Sequence, residues 1–332
     1  MKHITINEYG QFIGITSERL TIKEDGKLIA EYPLNRIKTI TIARKGVSLS
    51  SNIILQCAMR GIKLFVLDPI THTMACISGG QLHAVSKVRQ RQFEFLQSQQ
   101  TPLLARQFIV GKLKNQRVIL NYFTKYLRKK NNYKADICKL AAEQIKDSVY
   151  KLERLNIANY SDWRQVILGY EGSSAARYWR TLYEVNLLPE CFQGRVGRGA
   201  RDPINAALNY GYSILSSYIW HCLINSGLEI YQGVLHTQRS GKPSLVLDVM
   251  EVYRAWVVDR DVIKLANRLG KAGELTPKLK KELVVSIHKT FASHYQYKGK
   301  KVKLEVILQR QIYRLSGCFS GAKNYKPYIF KW

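Results

Sequence analysis

Residues 12–34 read FIGITSERLTIKEDGKLIAEYPL, and the spacing of their apolar side chains decides what kind of protein begins here. Leu20 and Ile22 alternate with Thr21 and Lys23, the period-two pattern of a strand with one face buried. Asp25-Gly26 separates two such runs, and an Asp-Gly pair suits the left-handed backbone of a tight hairpin. Outward from this hairpin, IKTITIAR (37–44) repeats the alternation. LSSNIILQCAMRG (49–61) then reads as a short helix capped by Ser48 and ended by Gly61. IKLFVLD (62–68) has the length and composition of a buried strand, and SGGQ (78–81) marks a loop and a domain boundary.

From about residue 83 the period changes. VSKVRQRQFEFLQ (85–97), LLARQFIVGKLKNQRVILNYFTKYL (103–127) and ADICKLAAEQIKDSVYKLERL (135–155) space their apolar residues at three and four, as amphipathic helices do. Asp202-Pro203 opens another helix, with an acceptor at the cap and proline in the first turn, and Gly227 stops it. The expected fold is therefore α+β. A small N-terminal β-rich domain (1–80) precedes a larger all-helical domain (81–332).

The chain has 332 residues, with 52 Lys and Arg against 24 Asp and Glu, a net charge of +28. That excess favours a polyanionic partner, nucleic acid above all. The six cysteines (57, 76, 138, 191, 222 and 318) form no C-x-x-C pair, which argues against a disulfide framework and a thiolate zinc site. Free thiols, no signal-like N-terminus and no membrane-length apolar stretch together predict a cytoplasmic protein without membrane contact.

Acidic and imidazole groups stand in apolar settings at three places. Glu171, in GYEGSSAARYWRTLYEV (169–185), lies near the start of an expected helix, where the helix dipole alone would account for it. His236 shortly precedes a Gly-Lys-Pro turn. Beyond that turn, a helix that Ser244 can cap is apolar at 245, 246, 247, 249, 250, 252 and 253, so it is buried. It nevertheless carries Asp248 and Glu251, neighbours on one face. Two carboxylates in a dry place need a compensating cation. Arg254 balances one charge of the two. A divalent ion suits the mixed oxygen and nitrogen set, and both compensations remain open at this point.

The loop PECFQGRVGRGARDP (189–203) interleaves Arg195, Arg198 and Arg201 with glycines. Glycine lets backbone approach a ligand closely, and arginine grips phosphate through paired hydrogen bonds. Lys298, Lys300, Lys301 and Lys303 form a second basic stretch, either a solvated edge or a contact to DNA backbone.

Five segments together resemble CRISPR-associated protein 1, the endonuclease and integrase family of spacer acquisition. They are GVSLSSNIILQCAMRGIKLFVLD (46–68), KLKNQ (112–116), GYEGSSAARYW (169–179), DPINAALNYGY (202–212) and GVLHTQRSGKPSLVLDVMEVYR (233–254). The resemblance implies that Glu171, His236 and Glu251 bind a catalytic Mg2+ or Mn2+ ion, with Asp248 beside it as orienter or occasional ligand. Lys242-Pro243 departs from the Gly-Arg more usual in the family. The resemblance also implies a β domain that dimerises, a helical catalytic domain, an asymmetric homodimer, and a dimer of CRISPR-associated protein 2 as partner. The implied activity is metal-dependent joining of the 3′-hydroxyl ends of captured DNA fragments to the CRISPR repeat. Basic candidates for contact with double-stranded DNA are Arg195, Arg198, Arg201, Arg239, Lys242 and Arg254. Two other readings stand beside this one: a metal nuclease of branched DNA, and a non-catalytic basic scaffold whose acids form ion pairs with arginine.

Overall fold

A computed structural model describes residues 2–68, 73–79, 85–197 and 199–331. The stretch 12–34 folds as three antiparallel strands: β2 (Phe12–Thr16), β3 (Arg19–Glu24) and β4 (Lys27–Pro33). Asp25 and Gly26 have φ of 49° and 76°, the left-handed backbone that the hairpin demands. The other turn, Ser17-Glu18, adopts φ of 46° and 63° without glycine, so no turn residue announced it.

A second sheet carries the order β1-β5-β7-β8, from β1 (Lys2–Ile6), β5 (Ile37–Ile42), β7 (Lys63–Asp68) and β8 (Thr73–Ile77). Its first three strands are parallel and β8 runs antiparallel. Between the sheets, β6 (Ser48–Leu49) pairs with β2, and α1 (Ser51–Met59) follows. The cap of α1 is Ser50, whose hydroxyl accepts from Ile53 N; Ser48 does not serve, because it is held in β6. Gly61, at φ 68°, turns the chain out as expected.

The helices follow in order: α2 (Val85–Leu96), α3 (Thr101–Arg128), α4 (Asn132–Arg154), α5 (Trp163–Glu184), α6 (Pro203–Asn225) and α7 (Ser244–Arg254). A π-helical turn, Ala255–Asp259, joins α7 to α8 (Arg260–Ala272), and α9 (Pro277–Ala292) and α10 (Leu304–Phe319) complete the domain. Asp202 caps α6 through Asn205 N at 2.8 Å, with Pro203 in the first turn. The helical domain also holds a hairpin, β9 (His294–Tyr297) with β10 (Lys300–Lys303), so it is not purely helical. Lys298 forms its turn at φ 49°. Ser244 does not cap α7 either: it begins the helix, and its hydroxyl donates to Thr237 O.

Two cores result. One fills the β region around Ile13, Ile40, Ile53 and Leu64. The other runs through the helices and takes in Ala43, Phe65 and Leu67 from the ends of β5 and β7, so the parallel sheet is one wall of the helical core. The expected boundary at 80–81 lies outside the described residues.

The approach of α3 to α7 positions the site. Gly111 permits it, since a Cβ there would stand 2.6 Å from Pro327 and 3.1 Å from Val252. Asn115 then ties the joint, donating to Val252 O at 2.7 Å and Tyr328 O at 3.0 Å and accepting from Phe330 N.

Candidate active site

Glu171 stands at the ninth residue of α5, not near its start. The dipole explanation therefore fails, because a terminal charge effect is spent within the first turn. Its partner is Lys112 of α3, next to Gly111, whose ammonium is paired with Glu171 Oε1 and lies 2.6 Å from Glu251 Oε2 of α7. On its other oxygen Glu251 meets Arg254 Nη1 at 2.7 Å. Three helices thus converge two carboxylates on one buried point of positive charge. Burial alone would raise the Glu251 carboxyl, but Arg254, Lys112 and His236 outweigh it and hold it down at about 2. Burial likewise would lower the Lys112 ammonium, and Glu251 and Glu171 overcome this to keep it above its ordinary range.

Asp248, which the resemblance places beside the ion as orienter or occasional ligand, is bound to His236. Its carboxylate accepts from the backbone N–H groups of Val234, Leu235 and His236, and one oxygen lies 2.6 Å from His236 Nδ1. Both oxygens are thereby engaged. Gly233 makes the wrap possible: a Cβ there would come within 2.6 Å of Ser244 Cβ and 3.0 Å of the Asp248 carboxylate. With Nδ1 bound to Asp248, Nε2 is the nitrogen left to face a ligand, the arrangement by which a carboxylate orients a metal-binding imidazole.

Lys112, Glu171, His236 and Arg254 line two depressions, while Glu251 and Asp248 stay buried behind them. One, of about 630 Å³, is lined by Lys112, Glu171, Arg180, Arg195 and Arg254 among others. The second, of about 540 Å³, is lined by His236, Lys242, Arg195 and Arg254 among others. Arg195, Tyr212 and Arg254 belong to both. Both guanidiniums lie over the Tyr212 ring, at 5.3 and 4.9 Å from its centre, a favourable cation–π placement. Asn205 and Asn209 of α6 accept from Arg195 at 2.9 and 2.6 Å, fixing it at the cleft. Below Tyr212, the phenols of Tyr212 and Tyr178 donate to Asp259 at the end of the π-helical turn. Burial raises that carboxyl.

Of the basic candidates, Arg195, Arg254 and Lys242 line the cleft, while Arg201 and Arg239 are exposed outside it. Arg198 lies outside the described residues. The sequence reading missed Lys112, although its signal was present. Leu104, Phe108, Ile119 and Phe123 mark the buried stripe of α3, and a lysine at 112 sits where that spacing calls for an apolar side chain. Among the described residues no three His, Cys, Asp or Glu side chains gather as metal ligands. The donor chemistry still fits a divalent ion. Glu171 and Glu251 already converge on a cation, the Lys112 ammonium, and His236, its Nδ1 against Asp248, keeps Nε2 as a nitrogen donor.

Residues 4–296 match the sequence profile of the family described as CRISPR associated protein Cas1. Over its whole length the chain is 46% identical to the CRISPR-associated endonuclease Cas1 1 of Francisella tularensis subsp. novicida (strain U112), covering 100% of that protein too. The chain belongs to the Cas1 family. Among solved structures, a casposase bound to integration product shares its fold, with a TM-score of 0.79 at 21% identity over 98% of this chain and 93% of that one. A Cas6-RT-Cas1–Cas2 complex matches with a TM-score of 0.78 at 20% identity, over 99% of this chain and 36% of that one. The Cas1 assignment bears out the resemblance read from the five sequence segments, and the β-rich region followed by helices is the fold expected. No described helix is long and apolar enough to cross a membrane.

Proposed function

We propose that this chain is a metal-dependent DNA integrase and endonuclease of CRISPR adaptation. It joins the 3′-hydroxyl ends of captured DNA fragments to the CRISPR repeat by transesterification. The observation that carries the reading is the convergence of Glu171 and Glu251 on one buried cation, with Glu171 lining one arginine-walled depression and the Asp248-bound His236 lining another that shares Arg195 and Arg254 with it. The Francisella relative, named an endonuclease, supports cleavage of DNA, and the casposase, held with its integration product, supports strand joining. In the reaction the 3′-oxygen of the fragment bonds to phosphorus as the bond to the repeat's own 3′-oxygen breaks. The proton leaves the attacking hydroxyl and is regained by the departing oxygen through solvent. No phosphate bond is lost, so no ATP is needed.

Glu171, Glu251 and the Nε2 of His236 would hold the Mg2+ or Mn2+ ion, which polarises the phosphoryl oxygen and stabilises charge on the attacking or leaving oxygen. Asp248 keeps the imidazole turned towards the cleft. Arg195 and Arg254, fixed by their own partners, face the phosphates of the bound strand. Lys112 keeps the two carboxylates together and charged, at the point where the ion would be held. The remaining basic surface binds duplex without reading much sequence. Dimerisation through the β domain completes the reading, together with assembly on CRISPR-associated protein 2, which the Cas6-RT-Cas1–Cas2 complex supports.

A second reading has an observation of its own. Lys112 and Arg254 balance Glu171 and Glu251 one for one, as a purely structural ion-pair network in a basic scaffold would. Glu171→Ala separates the two. Under the integrase reading it abolishes joining and leaves DNA affinity nearly intact; equal loss of both favours the scaffold. Nicking of a supercoiled repeat plasmid without covalent joining, with the partner protein present, would assign a nuclease instead.

A further inference from the structure

A further acid stands beside the two arginines of the cleft. Asp259 ends the π-helical turn that follows Arg254, is 2% exposed, and lines the depression that holds Glu171. Both of its oxygens go to phenols: Tyr212 of α6 donates at 2.5 Å and Tyr178 of α5 at 3.3 Å. A carboxylate in the wall of a phosphate-binding cleft opposes that ligand, and burying it carries a further cost. The π turn takes an extra residue to close and so re-aims the side chains that follow; turns of this kind are frequent at functional sites.

The task of Asp259 is legible in Tyr212. The Tyr212 ring carries Arg254 at 4.9 Å and Arg195 at 5.3 Å, and all three side chains line both depressions. Two guanidiniums on one ring repel each other, and their own counter-charges are unequal. Arg254 has Glu251, which it shares with Lys112. Arg195 is held by neutral oxygens, those of Asn205, Asn209 and the Val196 carbonyl. Asp259 brings negative charge to the hydroxyl end of the ring they share. A phenol that donates to a carboxylate gains electron density, which strengthens its face towards cations. The acid feels the same coupling: burial raises its carboxyl, while the Tyr212 hydrogen bond and the charges of Arg195 and Arg254 each pull it down. Tyr178 provides an internal comparison. It donates to the same carboxylate, but its ring packs on Trp179 at 4.9 Å and lines neither depression.

We propose that Asp259 is a positioning residue for strand joining. Through the Tyr212 phenol it holds the guanidiniums of Arg195 and Arg254 side by side where the two depressions meet, aimed at the phosphate under attack. The inference rests on the DNA-joining reading and adds the group that sets the aim of its arginines. That phosphate gains charge as the attacking oxygen bonds, so the aim counts most in the transition state. The rest of the basic surface holds the duplex.

The test follows joining at limiting and saturating duplex, with Mn2+ and the partner protein present. It compares wild type with Asp259→Asn, Tyr212→Phe, Tyr178→Phe and the Asp259→Asn/Tyr212→Phe double variant, and urea midpoints are measured on the same preparations. Asp259→Asn and Tyr212→Phe should each lower the maximal joining rate about tenfold, with the half-saturating duplex concentration unchanged. The double variant should be no slower than the slower single one, because both break one relay. Tyr178→Phe removes a hydrogen bond to the same carboxylate and should join at the wild-type rate. A merely structural Asp259 gives another pattern: Tyr178→Phe and Tyr212→Phe lose rate together, in step with their urea midpoints. That pattern overturns the proposal. A wild-type rate in Tyr212→Phe overturns it too, and this variant decides alone where Asp259→Asn does not fold. In both cases joining by the wild type leaves the integrase reading standing. A wild type that never joins overturns both.

Discussion

Lys112 Nζ lies 2.6 Å from Glu251 Oε2 and pairs on its other side with Glu171, so α3, α5 and α7 meet on one ammonium. Removing that charge leaves two carboxylates facing each other, with Arg254 compensating one. Lys112→Met keeps the side-chain volume and should lose about 3 kcal/mol of stability in urea unfolding without divalent ions. Millimolar Mn2+ should raise the variant's midpoint by more than the wild type's. Equal stability of the two proteins in chelator would show that the pair contributes nothing.

Asp248→Asn tests the cradle of His236. An amide presents N–H where the native carboxylate accepts from three backbone amides and Nδ1. About 2 kcal/mol of stability should be lost, and Mn2+ affinity by calorimetry should fall about 10- to 100-fold. Retention of wild-type affinity would mean that the orientation of His236 is set elsewhere.

Gly111→Ala places a methyl group against Pro327 and Val252. Because it forces α3 away from α7, it should cost about 2 kcal/mol and reduce joining by widening the gap between Lys112 and Glu251. A variant as stable and active as wild type would show that the joint is looser than the contact distances indicate.

Acid sensitivity should come from the seam between the β strands and the helices. His288 there bonds Thr5 and Tyr218, and burial depresses its pKa from 6.5 to about 4. A depressed folded value means that its contribution is complete above pH 6.5 and is lost as pH falls through about 4. The loss is on the order of 3 kcal/mol. Burial pushes the neighbouring seam residue His221 down to about 3, so it acts in the same direction. Urea midpoints measured from pH 7 to 4 should therefore fall, and His288→Gln should flatten the curve. A curve of unchanged slope in the variant would remove His288 from the account.

The sequence disclosed what local pattern controls. Asp25-Gly26, Asp202-Pro203 and the apolar run around Asp248 and Glu251 each behave as their chemistry demands. Where two chemistries compete locally, the reading slipped. Ser48 and Ser50 are both competent caps, and only the pairing of Ser48 with Phe12 decides between them. The site's division of labour was beyond local reach. Glu171 and Lys112 stand 59 positions apart, and only the packing that Gly111 permits brings them together. The spacing of Asp248 and Glu251 on one helix face suggested a shared cation. The turn at 233–236 brings Asp248 to His236, the position of the orienter that the resemblance, and not the spacing, implied.

The most direct measurement is covalent joining of a labelled duplex with 3′-hydroxyl ends to a supercoiled repeat plasmid, with Mn2+ or Mg2+ and the partner protein present. Wild type should give a joined product that disappears with 3′-dideoxy ends. Glu251→Gln and Glu171→Ala should each give none while binding the duplex nearly as well as wild type. Joining that persists in either variant would contradict the claim that these two carboxylates carry the reaction.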